Sequence, residues 1–290
     1  MAELNLIEAK KQNCVKTKIL DEYGVDWIKE LREWFYNHTS VQIYKVKAKS
    51  DFYLLKSVKS LNDEHIKDIQ KLHELYQEYE KKSKHLLKTL KTKQEERNIE
   101  ILYECSDKDL NSICKDSKDV TRRMKEILEP LTLFEEQEIF HLELKPNNIF
   151  IVDGITKIVY LVNPLASQSI KERTDLYLPP EVNGNKEFDP SKVDVYSWGR
   201  TFDELLSAEI KDKNYLAMLK KLEGRKLWVE EALKKALCDS PEERATFKEL
   251  KASPDSTVDQ GSLNINKEKN EKMIKGHKKD IEEMKKDKGT

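Results

Sequence analysis

His141-Leu142-Glu143-Leu144-Lys145-Pro146-Asn147-Asn148-Ile149-Phe150 gathers an imidazole, a carboxylate, an ammonium and two carboxamides into one short run. Its setting reads outward in both directions. Upstream, residues 120–129 repeat apolar positions at helical spacing and meet Pro130, which ends or kinks a helix. Downstream, Asp153-Gly154 reads as a hairpin turn, followed by a strand over 158–161. Helical patterns return over 192–206 and 227–237. Further upstream, 41–46 and 51–58 alternate as paired strands. Residues 62–80 form a helix with Ile66, Ile69, Leu72, Tyr76 and Tyr79 on one face, and 86–92 and 99–105 form a second strand pair. Asp26 is a plausible helix cap in front of Trp27, Ile28, Leu31, Trp34 and Phe35, whose spacing favours a helix leading into the domain, the alternative being that its end is the first strand of a small lobe. Strands first and helices afterward predict an α+β fold with two lobes.

Composition narrows the function classes. The 290 residues suffice for one bilobal domain and a short tail. Hydrophobic residues, at 38%, can fill a core, while charged residues, at 37%, make a densely ionic surface. The net charge of −1, with both signs interspersed, argues against a nucleic-acid or membrane partner. No apolar run has membrane-spanning length, and the first residues lack the apolar stretch of a signal peptide. Cys14, Cys105, Cys114 and Cys238 are scattered, as idle thiols of a cytoplasmic or nuclear protein are. From about residue 252 the chain turns to Ser, Asn, Lys and Glu, which predicts a solvated, disordered tail over 252–290.

The run 141–150 resembles the catalytic loop of a eukaryotic protein kinase, H-R-D-L-K-P-x-N-I-L, with Leu142 and Glu143 in place of Arg and Asp. Other family markers follow in order over roughly 40–250. Lys56, in Tyr53-Leu54-Leu55-Lys56, matches the lysine of V-A-I-K, and Glu74 in the next helix is its candidate partner. Residues 101–110 look like the fifth strand and hinge. Tyr177-Leu178-Pro179-Pro180-Glu181 resembles the end of an activation segment. Asp194-Val195-Tyr196-Ser197-Trp198-Gly199 resembles D-V-Y-S-F-G, and the stretch from Asp239 through Arg244 to Leu250 resembles D-P-x-x-R-P-T-x-x-E-L. The last two lean toward the tyrosine-kinase-like branch. The resemblance implies a small, mainly β N-lobe over 37–106 and a larger helical C-lobe over 107–251, with 1–36 as an extension carrying the amphipathic helix.

It also implies roles. Glu181 and Arg244 are expected to form a buried ion pair, Asp194 to accept backbone hydrogen bonds from the catalytic loop, and His141 to pack beneath it. Lys56 and Glu74 would serve nucleotide binding, with Glu143, Lys145 and Asn148 the catalytic set and Asn148 at most a metal ligand. ATP and Mg²⁺ are the implied cofactors, and several departures count against both. Asn37-His38-Thr39-Ser40 stands where a Gly-rich loop would let backbone approach phosphate. Val162-Asn163-Pro164 stands where D-F-G would hold magnesium. Glu143 keeps the carboxylate but moves it by roughly 1 Å, a displacement that can cost about 10²-fold in rate. Leu142 removes the arginine of the usual phosphorylation switch.

These losses predict a pseudokinase acting as a scaffold or allosteric module, with signalling proteins or an active kinase as partners. The alternatives are a divergent active Ser/Thr-type kinase using Glu143, and a nucleotide-binding switch without catalysis, its adenine docked near 104–107.

Overall fold

The computed structural model describes residues 18–23, 25–36, 39–60, 62–110, 117–159, 176–184, 187–209 and 226–253. The first half is an antiparallel sheet of β1 (Trp27–Tyr36), β2 (Thr39–Ala48), β3 (Asp51–Ser60), β4 (Thr89–Glu95) and β5 (Asn98–Cys105), in the order β1-β2-β3-β5-β4. Period-two alternation along β3 sends Leu54, Lys56 and Val58 to one face and Leu55 to the other. Leu54 and Val58 join the main core, while Leu55 packs with Tyr44, Val46 and Leu102 on the opposite face. Lys56 is thereby committed to the inner face by its register.

The helix expected over residues 27–35 is a strand. It pairs antiparallel with β2 from Trp27↔Lys47 to Tyr36↔Thr39, with the register shifting between Glu30 and Arg32. Leu31 is the extra residue of that bulge, and one inserted residue turns an alternating apolar pattern into a near-helical one. The short helix α1 (Lys18–Asp21) buries Ile19 and Leu20 against the outer sheet face. Residues 18–36 thereby add a strand and a short helix to the sheet that β2 and β3 form.

Helix α2 (Asp63–Glu80) crosses the inner face. Asn62 caps it by accepting the Glu64 N–H at 2.9 Å, with Asp63 and Glu64 in the positive first turn.

The second half contains α3 (Ser117–Glu126), α4 (Leu128–Glu135), the hairpin β6 (Ile149–Val152) and β7 (Ile155–Ile158), α5 (Pro190–Glu209), α6 (Lys226–Ala236) and α7 (Phe247–Ala252). Asp153 and Gly154 both have positive φ, the backbone the expected hairpin turn requires. Pro130 does not end a helix. It lies in the first turn of α4, where the missing N–H has no intrahelical partner to lose, and the break falls earlier, at Ile127.

Trp198 of α5 is fully buried and donates to the Met124 carbonyl, while Trp228 of α6 donates to that of Leu250. Gly199 permits the close approach of α5 to α6, since a Cβ there would lie 2.8 Å from Ala236 Cβ. Thr246 and Glu249 close a capping box at the start of α7.

The two halves are sewn together behind the cleft. The Leu87 N–H donates to Ile158 O and the Ile158 N–H to His85 O, at 3.0 and 2.9 Å. Phe134 of α4 stacks on Tyr76 and meets Tyr79 edge-on. Among the described residues no helix is long and apolar enough to cross a membrane. The segment 160–175, with Val162-Asn163-Pro164, the predicted tail beyond residue 253, Cys14 and Cys114 lie outside the described residues.

Candidate functional site: the cleft and its two margins

The run 141–150 folds as a tight loop around a buried carboxylate. Asp194, 2% exposed at the start of α5, accepts the N–H groups of His141 and Leu142, the latter at 2.6 Å. Burial pushes its carboxyl up to about 7, against the two backbone donors that favour the anion. His141 Nδ1 accepts the Glu143 N–H at 3.2 Å. Asn148 Nδ2 donates to the Glu143 carbonyl at 2.7 Å, and Lys145 Nζ stands 3.6 Å from the Glu143 carboxylate. The fold thus brings Glu143, Lys145 and Asn148 together in one loop.

Leu142 has a left-handed φ of 55°, a strained conformation for a branched side chain. Its side chain is buried with Val182 and Val193, and Leu178 and Phe188 pack against the same cluster. Where the family pattern places an arginine, an apolar plug ties the loop to residues 178–182. Nearby, Arg244 is 2% exposed and grips both oxygens of Glu181, with Nη2 at 2.9 Å from Oε2. Its Nε donates to Cys238 O at 2.7 Å, and its guanidinium lies over the Tyr196 ring. Every donor direction of the planar fork has an acceptor or an aromatic face.

The upper margin differs. Lys56 is 3% exposed, and burial pushes its ammonium down to about 7. It lines a cavity of about 10 Å³, the size of a single water, with Ile69, His73, Tyr76 and Tyr103 among its neighbours. Glu74, the expected partner of Lys56, is exposed on the outer face of α2. From that helix Ile69, Leu72, His73 and Tyr76 border the Lys56 cavity, and His73 lies near enough to feel the lysine's charge. A sequence signal for it exists: steps of three and four from Ile66 through Ile69 reach 73 and 76, so position 74 falls off the stripe. His73 Nε2 is 2.7 Å from Thr92 Oγ1, while its Nδ1 is buried with no hydrogen-bond partner among the described residues. Burial and the nearby Lys56 hold its pKa down at about 4, so the ring is neutral at physiological pH. Tyr76 donates to Leu87 O, and the Glu80 carboxylate accepts the Thr89 N–H. Side-chain bonds to β4 and the segment before it hold α2 in place.

Between the margins lies a cleft of about 230 Å³. Leu31, Ile43 and Leu54 line it from the sheet, and Phe150, Asn147 and Asn148 from the helical half. Lys45 and Asp109 complete the walls, with Lys45 Nζ donating to the Asp107 carbonyl at 3.1 Å. Leu31 is the bulged residue of β1, so the strand that the sequence pattern disguises supplies part of this roof. Lys56 borders the inner cavity instead.

A sheet-first, helix-second chain whose cleft runs between a buried β3 lysine and a loop organised by Asp194 has the architecture of a protein kinase. The chain belongs to that family: the protein kinase domain model matches residues 37–254. It is 26% identical to a Wee1-like protein kinase of Arabidopsis thaliana, over 55% of this chain and 35% of the relative. It is 27% identical to the CBL-interacting serine/threonine-protein kinase 12 of the same plant, over 46% of this chain and 31% of the relative. A Wee1-like protein kinase of Oryza sativa subsp. japonica is 24% identical, over 57% of this chain and 33% of its own length. The matched region spans about a third of each of these relatives.

Proposed function

We propose that this kinase fold is catalytically impaired, a pseudokinase that serves other signalling proteins as a scaffold or allosteric partner. The observation that carries the reading is the place of Glu74: Lys56 is buried on the inner face of the sheet, and the glutamate expected to pair with it is exposed on the outer face of α2. Phosphoryl transfer needs little covalent work from a protein; it needs positioned positive charge and metal around the phosphates. A magnesium triphosphate asks for carboxylates and charge-assisted donors. The sequence has no carboxylate from 162 to 167, where the family pattern puts its metal-holding aspartate. The residues present do not fit that group. Burial pushes the Cys105 thiol up to about 12, an inert group suited to the cytoplasm.

The test is phosphate transfer from labelled ATP to a generic protein substrate and to the chain itself, with Mg²⁺ or Mn²⁺. The expected result is no transfer above that of a Glu143→Ala variant. Transfer that Glu143→Ala abolishes overturns the proposal and establishes the second reading, a divergent active kinase. That reading draws on one feature, the grouping of Glu143, Lys145 and Asn148 in a single loop.

A further inference from the structure

A scaffold has to hold its partner, and one stretch of the surface carries unmatched charge. We infer that residues 81–88, between the end of α2 and the start of β4, form a docking surface for an acidic, Asp/Glu-rich segment of a partner protein. The inference deepens the proposed function and rests on its reading of the chain as a scaffold.

Between Glu80 and Glu95 the sequence holds Lys81, Lys82, Lys84, Lys88, Lys91 and Lys93 and no carboxylate side chain, in a chain whose net charge is −1. Two of these are matched: Lys91 pairs with Glu22, and Lys93 with Glu95 at 3.2 Å. Lys81, Lys82, Lys84 and Lys88 are exposed and form no ion pair among the described residues. Elsewhere the surface balances such groups, as where Lys234 and Lys235 of α6 pair with Glu230 and Glu231 one turn away. The dipole of α2 favours cations at its C-terminal end, which accounts for Lys81 and Lys82. Lys84 and Lys88 lie beyond the helix and have no such reason.

The charges are displayed from a pinned backbone. The Lys82 and Ser83 N–H groups both donate to Tyr79 O at 2.9 Å. Ser83 Oγ accepts the His85 N–H at 3.2 Å, and His85 Nδ1 lies 2.8 Å from Thr156 O. The Lys88 N–H donates to Glu104 Oε1 at 2.8 Å, and Lys88 O accepts the Glu104 N–H. Buried Ser83, His85, Leu86 and Leu87 are thus interleaved with outward lysines, so binding need not order the backbone that carries them. Two residues past Lys88, Leu90 is 39% exposed and adds an apolar contact to the array.

The residue type selects the anion. Arginine has the planar fork that grips a phosphate through two hydrogen bonds, and none occurs from 81 to 95. Lysines act as point charges on flexible stems, which suits carboxylates spaced along an extended segment. Carboxylates also bound the array, Glu78 and Glu80 on α2, Glu22 beside Lys91 and Glu104 beside Lys88. They would repel a broad polyanion such as a membrane or a duplex, whereas a short segment fits between them.

The test is fluorescence anisotropy of a labelled peptide of alternating Asp and Glu with one leucine, titrated with the full chain in the absence of nucleotide. Duplex DNA, phosphatidylserine vesicles and a phosphoserine peptide of equal charge are titrated alongside. The expected result is peptide binding that weakens as salt rises, because exposed charges are screened. Lys84→Glu with Lys88→Glu is expected to weaken it by about tenfold or more at an unchanged melting temperature. Lys84→Gln with Lys88→Gln, which adds no new charge, gives a smaller loss in the same direction and serves if the first pair fails to fold. Lys234→Glu with Lys235→Glu, on α6, should leave binding within about twofold of the native chain.

No binding of the Asp/Glu peptide, or an equal loss in the α6 variant, overturns the inference. So does tighter binding of the DNA, the vesicles or the phosphoserine peptide. Phosphate transfer in the separate assay overturns the proposed function instead, and leaves the peptide titration to be read on its own.

Discussion

Arg244 and Lys56 are both cations sealed from water, at 2% and 3% exposure, and the molecule treats them in opposite ways. Arg244 keeps its charge inside a matched cage of Glu181, the Cys238 carbonyl and the Tyr196 ring. Lys56 is surrounded by Ile69, Tyr76, Tyr103 and a neutral His73, and burial lowers its pKa toward neutrality. The first arrangement holds the helical half together and is complete. The second lies behind the cleft, with Glu74 turned away from it on the outer face of α2. On the proposed function, the residues that hold the fold are kept whole and those that serve phosphotransfer are not.

The comparison is broken most forcefully at Arg244. Glu181→Ala strands a buried guanidinium and should cost about 3–5 kcal/mol in urea unfolding. The double variant Glu181→Leu with Arg244→Met removes both charges and should cost clearly less than the single one. If single and double cost the same, the ion pair is not what the cage protects.

At Lys56 the same logic reverses the sign. Lys56→Met removes a charge whose burial is unfavourable, and is expected to leave stability unchanged or raise it by about 1 kcal/mol at neutral pH. A lysine whose folded pKa lies at about 7, below its unfolded value, contributes stability above the unfolded pKa that is lost as pH falls through about 7. The native chain should therefore gain stability between about pH 7 and 10 by this route, and Lys56→Met should flatten that limb. An unchanged slope in pH-dependent denaturation would show that Lys56 is not the titrating group.

His73 sharpens the contrast on the acid side. Its folded pKa of about 4 lies below the ordinary histidine value, so its contribution is present above pH 6.5 and disappears as pH falls through about 4. His73→Gln should remove that acid-limb loss while retaining a group able to bond Thr92. The smallest effect is expected at the exposed pair of Lys235 and Glu231, where Lys235→Ala should change stability by less than about 0.5 kcal/mol.

Much of the fold is legible in the amino-acid sequence alone. The loop 141–150 and the order of markers around it carry it, because each buried polar anchor, Asp194 and Arg244 included, needs a particular partner and so leaves a recognisable residue type. The hairpin turn at Asp153-Gly154 is legible for a similar reason, since few residues tolerate its positive φ. The strand β1 is not. Its bulge at Leu31 disguises the period of two, and its partner strand is distant information that a local pattern does not contain.

What the sequence by itself determined is therefore the family, the halves and the loss of chemical groups: no glycine over 37–40, no carboxylate over 162–167, leucine at 142. Only the tertiary structure decided that His73 rather than Glu74 borders the Lys56 cavity, and that Lys56 lies behind the cleft. One residue along a helix turns a side chain by about 100°. Composition tolerates that difference, and packing against β3 does not.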